Sequence, residues 1–304
     1  MVQSHFLNHG SCFNLTPASD GVDMLHVVVG TGRGCTLESD AALGGVWIPV
    51  RGRLRLGTAS TDTIMPGELM STEAEPGLRA IGRGNALWIA LLGTCGAWHR
   101  ALAEVIEIPV PAPMLLPARL RADIATRRHA VELARAASGA RAEAVASALV
   151  ERVVSLQKVF DGSIERCPGR SLAQRRQVFL RLQRVRNYIA ANCHRDLENE
   201  ELARLAQYSP WQFIRAFRTA FAQTPHAFVV DQRLRRARHL LAASTLSIAE
   251  VAAACGFEDR CAFSRLFSER FSVTAREFRR GTNTLNAAVE KPGQIASRNF
   301  GNAA

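Results

Sequence analysis

Residues 201–280 carry one pattern twice, and that duplication restricts the fold more than any other feature of the chain. The first copy reads Glu201-Leu202-Ala203, Tyr208-Ser209, Phe213, Arg215, Phe217, Phe221, Thr224 and Phe228. The second reads Glu250-Val251-Ala252, Phe257-Glu258, Phe263, Arg265, Phe267, Phe271, Thr274 and Phe278. The offset is 49 before the turn and 50 after it, so the second copy holds one extra residue near its turn. In each copy a short helix with an apolar face runs into a tight turn, and a second apolar-periodic helix follows. That is the layout of a helix-turn-helix. Two such units on one chain can place two helices into successive major-groove segments of one DNA face.

Charge supports a polyanionic partner. The formal net charge of +11 is unevenly spread: residues 1–110 hold 7 basic and 10 acidic side chains, whereas residues 178–282 hold 17 and 10. Positive charge therefore collects where it would meet nucleic acid. Only Lys158 and Lys291 are lysine. Arginine dominance suits bidentate phosphate and guanine contacts, and a GC-rich genome would produce the same bias. The seven cysteines form no CxxC pair, which argues against a disulfide framework or a zinc site and for reduced thiols in a cytoplasmic protein. The N-terminus lacks a basic region followed by an apolar stretch, so no secretory signal is expected. The most apolar segment, Ala86 to Trp98, is too short to span a bilayer, and no membrane partner is expected.

The 304 residues suit two domains. Residues 20–95 read as β-rich, with strand runs at Leu25–Val29, Val46–Val50, Leu54–Gly57 and Leu87–Leu92 between Gly, Pro and Asp punctuation. Closely spaced strands suggest a small barrel or jelly roll. Trp47-Ile48-Pro49-Val50-Arg51-Gly52 and the turn Pro66-Gly67-Glu68 resemble the cupin-like N-terminal domain of some bacterial regulators. The paired histidines of metal-binding cupins are missing, since His26 stands alone between residues 20 and 95. His26 reads as a core or surface residue, and no metal or cofactor is expected. Residues 97–161 switch to helical periodicity. Val145, Leu149, Val153, Leu156 and Phe160 line one face, which serves either packing on the β-rich part or a homodimer interface. Helix signals lapse from Asp161 through Arg170. The fold class expected is therefore α+β with two domains: a cupin-like barrel with helices over residues 1–161, a linker over 162–175, an all-α tandem helix-turn-helix over 176–281, and a disordered tail over 282–304.

Within the C-terminal domain a helix over Val178–Asn192 precedes the first unit, at about Asn199–Ala206 and Pro210–Phe221. A connecting helix spans about His226–Ala243. Ser247-Ile248-Ala249-Glu250 is a capping box opening the second unit, Gly256 frees the second turn, and Glu258-Asp259 cap a helix to Phe271. Ile248 through Val251-Ala252, Gly256-Phe257, Phe263-Ser264-Arg265-Leu266-Phe267 and Phe271 closely resemble the AraC/XylS family of bacterial transcription regulators, as do Arg233-Leu234, Ala237 and Leu240-Leu241 in the connecting helix. The resemblance covers Leu182 to Arg280. It implies two helix-turn-helix units reading an asymmetric DNA site near a promoter, with contact to RNA polymerase, and an N-terminal domain that binds a small-molecule effector. Gln207 departs from the family's glycine in the first turn, Ala222 and Ser272 from the glycine after each reading helix, Glu198 from a Ser/Thr cap, and Ala275 from proline.

Helical phase puts Phe213, Phe217 and Phe221, and likewise Phe263, Phe267 and Phe271, on the core. Trp211, Ile214, Arg215 and Arg218 lie off it in the first unit, and Arg260, Cys261, Ser264 and Arg265 in the second. The resemblance implies base-facing roles for Trp211, Ile214, Arg215, Arg260, Cys261, Ser264 and Arg265. Arg215 and Arg265 suit bidentate bonding to guanine O6 and N7, while Ile214 and Cys261 suit thymine methyls. The alternative for each arginine is a phosphate contact or a solvated position; base contact is the favoured reading for Arg215 and Arg265, and for Arg260 both stay open. Arg233, Arg235, Arg236 and Arg238 read as a solvated helix face, some touching phosphate or pairing with acids. The function expected is a sequence-specific DNA-binding transcription regulator, an activator in the family's usual mode, with no catalytic residues. Two rivals differ in kind: a nonspecific architectural DNA binder, and a cupin-type or cysteine-based enzyme fused to a DNA-binding domain.

Overall fold

The computed structural model describes residues 2–16, 24–57, 62–105, 115–136 and 139–281. The expected tail over 282–304 lies outside the described residues. The chain forms two compact units. One holds the described residues up to Ala191 together with Glu200–Ala222, and the other holds Asn192–Asn199 with the described residues from Gln223 onward.

The first unit opens with strands β1 (Val2–Leu7), β2 (Cys12–Asn14), β3 (Leu25–Thr31), β4 (Thr36–Ser39), β5 (Leu43–Leu56), β6 (Asp62–Ile64), β7 (Glu68–Glu75) and β8 (Leu78–Gly93), and later adds β9 (Ala118–Arg121). Their order is β1-β3-β8-β5-β7-β9, with β2 on β4, β4 on β8 and β6 on β5. The pairings are antiparallel except β1–β3 and β2–β4. Among the described residues this is an open path rather than the closed ring expected of a barrel. Successive side chains of a strand point to opposite faces, and here both faces are covered. Val27, Val29, Val46, Ile48, Ile89 and Leu91 enter one core with the helices. Val28, Trp47, Trp88, Ala90 and Leu92 enter the other. That two-sided burial explains why these strands read as continuous apolar runs. Trp47 and Trp88 lie 6.1 Å apart between ring centres. Trp88 crosses Gly30 of the neighbouring strand, where a Cβ would overlap the indole.

Two expected strands prove to be one. Val46–Val50 and the Leu54–Gly57 run up to Leu56 both belong to β5, whose pairing with β8 shifts register on each side of Arg51. Gly52 takes a φ of 73° there, and a Cβ on it would sit 2.7 Å from the Ala86 Cα. The irregularity bends the strand without ending it. Beyond the turn Arg53 is exposed while Leu54 and Leu56 are buried, as alternation requires.

Helices α1 (Cys95–Val105), α2 (Ile124–Ala136) and α3 (Ala140–Gln157) follow. The apolar stripe of α3 belongs to the core of its own unit. Leu149 and Val153 are each 1% exposed, Phe160 is buried, and Val145 and Leu156 pack against the same cluster. A homodimer interface built on Leu149 and Val153 is thereby corrected, because those two side chains are already covered within their own unit, while Leu156 is half-buried. The four residues of β9 interrupt the expected helical region, and they pair with β7. The expected linker is also partly helical. A short 3-10 turn at Lys158–Phe160 leads into α4 (Asp161–Arg166), and α5 runs Leu172–Asn192. Ile164 and Cys167 are buried, and packing of these side chains outweighs the weak helix propensity of Asp161-Gly162-Ser163.

His26 is a core residue, 3% exposed, with its Nδ1 3.2 Å from His5 Nε2 on β1. Burial lowers the pKa of both from 6.5, and the neighbouring His5 adds to the effect on His26. The unfolded chain therefore takes up protons first. The contribution to stability is complete above pH 6.5 and is lost as pH falls through that value toward the folded pKa values. The denaturation midpoint should drop between pH 7.5 and 5.5, and His26→Gln should shrink that drop. An equal drop in the variant would remove His26 as its source.

The remaining elements are α6 (Asn199–Leu205) and α7 (Pro210–Phe221) in the first unit, with α8 (Pro225–Ala243), α9 (Ile248–Ala254) and α10 (Arg260–Phe271) in the second. Leu182, Val185 and Ile189 of α5 are fully buried, as their phase predicts. The second unit packs Leu234, Ala237 and Leu241 of α8 against Val251, Ala252, Phe263 and Phe267. Among the described residues no helix is long and apolar enough to cross a membrane.

Candidate nucleic-acid interface

Both copies of the repeat fold as helix, turn, helix, and their turns are built alike. After α6, Tyr208 N–H bonds to Ala203 O and Gln207 N–H to Arg204 O. After α9, Phe257 N–H bonds to Ala252 O and Gly256 N–H to Ala253 O. This paired closure needs a left-handed residue, supplied by Gln207 (φ 58°) and Gly256 (φ 85°). The extra residue of the second copy falls between that turn and the next helix. α7 is capped by Ser209 and α10 by Asp259, two residues after Gln207 and three after Gly256. Ser209 and Gln212 form a capping box, as do Ser247 and Glu250. Asp259 accepts from the N–H groups of Cys261 at 2.7 Å and Ala262 at 3.1 Å. Hydrogen bonds from the Ser247 backbone and hydroxyl hold the Glu250 carboxyl below its usual range.

Ala222 (φ 57°) and Ser272 (φ 58°) also take left-handed backbone, at the C-caps of α7 and α10. A side chain in that region costs about 1–2 kcal/mol, part of which glycine returns as chain entropy. Gln207→Gly, Ala222→Gly and Ser272→Gly should each therefore stabilise the fold by roughly 0.5–1 kcal/mol. A denaturant midpoint that is unchanged or lower in all three would contradict the strain.

These caps fix the phase of α7 and α10. Phe213, Phe217, Phe263 and Phe267 are fully buried, while Phe221 and Phe271 are half-buried. On the opposite side of α7, Trp211 is 68% exposed, Arg215 and Arg218 are exposed, and Ile214 is half-buried. The Arg215 guanidinium lies 5.5 Å from the centre of the Trp211 ring, which restrains both side chains. On α10, Arg260, Cys261, Ser264 and Arg265 are all exposed. Ser264 donates its hydroxyl to Arg260 O at 3.0 Å, leaving its oxygen able to accept. Every side chain that phase placed off the core is thus at least partly solvent-facing on its own helix.

The arginine cluster of α8 divides. Arg233 donates to Cys193 O at 2.7 Å and to Arg195 O at 2.8 Å. Arg235 and Arg270 both pair with Asp231, at 2.6 and 2.8 Å. Burial alone would raise the Asp231 pKa, but the two arginines outweigh it and hold it down. Arg238 lies over the Phe271 ring at 5.2 Å. Of the cluster read as a solvated face with some members pairing with acids, Arg235, Arg236 and Arg238 are exposed, Arg235 in a pair with Asp231, while Arg233 is half-buried in its backbone bonds. Sequence reasoning missed the Asp231 pair, whose i,i+4 spacing to Arg235 was a visible signal.

Residues 202–281 match a family model described as a helix-turn-helix domain. The HTH-type transcriptional regulator GbdR of Pseudomonas aeruginosa is 34% identical over 101 residues, 33% of this chain and 28% of that protein. CdhR of the same organism, also an HTH-type transcriptional regulator, is 37% identical over 96 residues, 32% of this chain and 29% of that protein. The chain thus spans less than a third of the length of these relatives. Among solved structures, the DNA-binding domain of AdpA in complex with a target DNA aligns with 35% of this chain and 96% of that chain, at 27% identity and a TM-score of 0.34. The duplicated turns, the caps and the matched span agree in extent, and residues 202–281 are a tandem helix-turn-helix domain of the AraC/XylS family.

Proposed function

We propose that the protein is a sequence-specific transcription regulator that reads double-stranded DNA with α7 and α10. The observation that carries this reading is the equivalence of Arg215 and Arg265, 50 residues apart in the repeat, each exposed on a capped helix whose opposite face is phenylalanine core. In the proposed complex Arg215 and Arg265 bond guanine edges, Ile214 and Cys261 meet thymine methyls, and Trp211, Arg260 and Ser264 complete base contacts. Arg218 serves base or backbone. Functionally, residues 1–161 sense a small effector or set assembly, 162–175 connect, and 176–281 read DNA. The strand-rich part serves as a cupin-like sensor without catalysis. The regulator acts in the cytoplasm by helping RNA polymerase at its promoter, as an activator. An effector would work by binding one state of the protein better than another.

Two different reading helices favour sequence selectivity over architectural binding. A footprint across the genome, combined with transcription from the footprinted promoters with and without the protein, tests the reading. Discrete sites next to promoters whose output changes would support it. Even coverage that tracks only DNA concentration would support the architectural rival, with a specificity ratio near unity.

A further inference from the structure

The segment expected to be a passive linker grips the first reading helix. Helix α3, packed in the core beneath the sheet, passes through the turn at Lys158–Phe160 directly into α4. α4 is seated by Ile164, which is 2% exposed, and packs against α7. From its last turn Arg166 reaches the C-terminal end of α7, donating to Thr219 O at 3.2 Å and Ala220 O at 2.9 Å, and it is steadied by Ser163 Oγ at 3.1 Å. All these residues lie in the first compact unit. The last carbonyls of a helix lack partners within it and carry partial negative charge, so a guanidinium there both bonds and complements them. Phe179 of α5 packs between the same parts, its ring tilted against Phe160 at 5.6 Å and Phe221 at 5.7 Å.

We infer that Arg166 is a positioning residue for DNA reading: it fixes the end of α7, so that the continuous path α3–α4 acts as a handle by which the N-terminal core holds the first reading helix in place. This rests on the proposed role of α7 at the base edges. Arg166 itself touches no base. Its loss leaves the Phe213 and Phe217 core intact and loosens only the direction in which Trp211 and Arg215 present themselves. A change in the N-terminal core that moves α3 would then reach the first half of the DNA site ahead of the second.

The test uses the full chain and the DNA sequence that the wild-type protein itself selects from a random pool. Arg166→Ala should weaken binding roughly threefold to tenfold, and Arg166→Lys, which keeps the charge and can still donate, should restore most of it. The loss should fall on the half of the site that Arg215→Ala also affects. Combining Arg166→Ala with Arg215→Ala should give less than the product of the single losses, while combining it with Arg265→Ala should give the product. A general loss of folding would instead weaken both halves equally. Equal losses at both halves, or unchanged affinity of Arg166→Ala, would overturn the positioning role while leaving the regulator reading standing. A wild-type protein that selects no sequence would overturn the regulator reading and this inference with it.

Discussion

Replacing Phe267 by alanine should destabilise the second helix-turn-helix unit by about 3–5 kcal/mol, the range for a truncated buried phenylalanine. Phe267 is fully buried, and its ring lies 5.6 Å from Phe263, 4.7 Å from Phe271 and 6.1 Å from Phe278. The truncation removes a ring from the middle of the layer that also holds Leu234, Leu241 and Val251. The denaturation midpoint should fall steeply, and DNA binding should be lost with it. A loss below about 1 kcal/mol would mean that the site collapses freely, and the phenylalanine layer would not be the core of this unit.

Arg265→Ala should cost roughly 1–3 kcal/mol in DNA affinity and relax preference at one base position, with the fold unchanged. The side chain is exposed, and its removal exposes no core. Arg236→Ala, on the connecting helix, should weaken binding slightly and uniformly across sequences. A shallower salt dependence with base preference intact would reassign Arg265 to a phosphate contact.

Much of the tandem helix-turn-helix was legible because its signals are local. Phenylalanine at every fourth residue sets the core face of α7 and α10, and Ser247 with Glu250 marks a helix start by chemistry alone. The structure begins α7 at Pro210, α9 at Ile248 and α10 at Arg260, within a residue of those expectations. The β-rich part was less legible because its organisation is set by distant partners. β5 continues through Gly52 only because β8 lies beside it, and β9 is four residues of Ala-Arg-Leu-Arg that gain meaning only on β7. The α3 stripe had two readings in the sequence, since an apolar face suits a core or a partner equally. Burial of Leu149 and Val153 in their own unit decides it. The grip of Arg166 on α7 joins residues 53 and 54 positions apart. No periodicity could reveal it, and the glycine and proline around it read as a break.

Whether α7 and α10 read bases is decided by selecting binding sequences from a random double-stranded DNA pool with the full chain, and repeating the selection with Arg215→Ala and Arg265→Ala. The expected result is one asymmetric motif with two separated blocks of preferred bases, each variant erasing preference in a different block. Enrichment of no motif, or a motif that neither substitution alters, would contradict it.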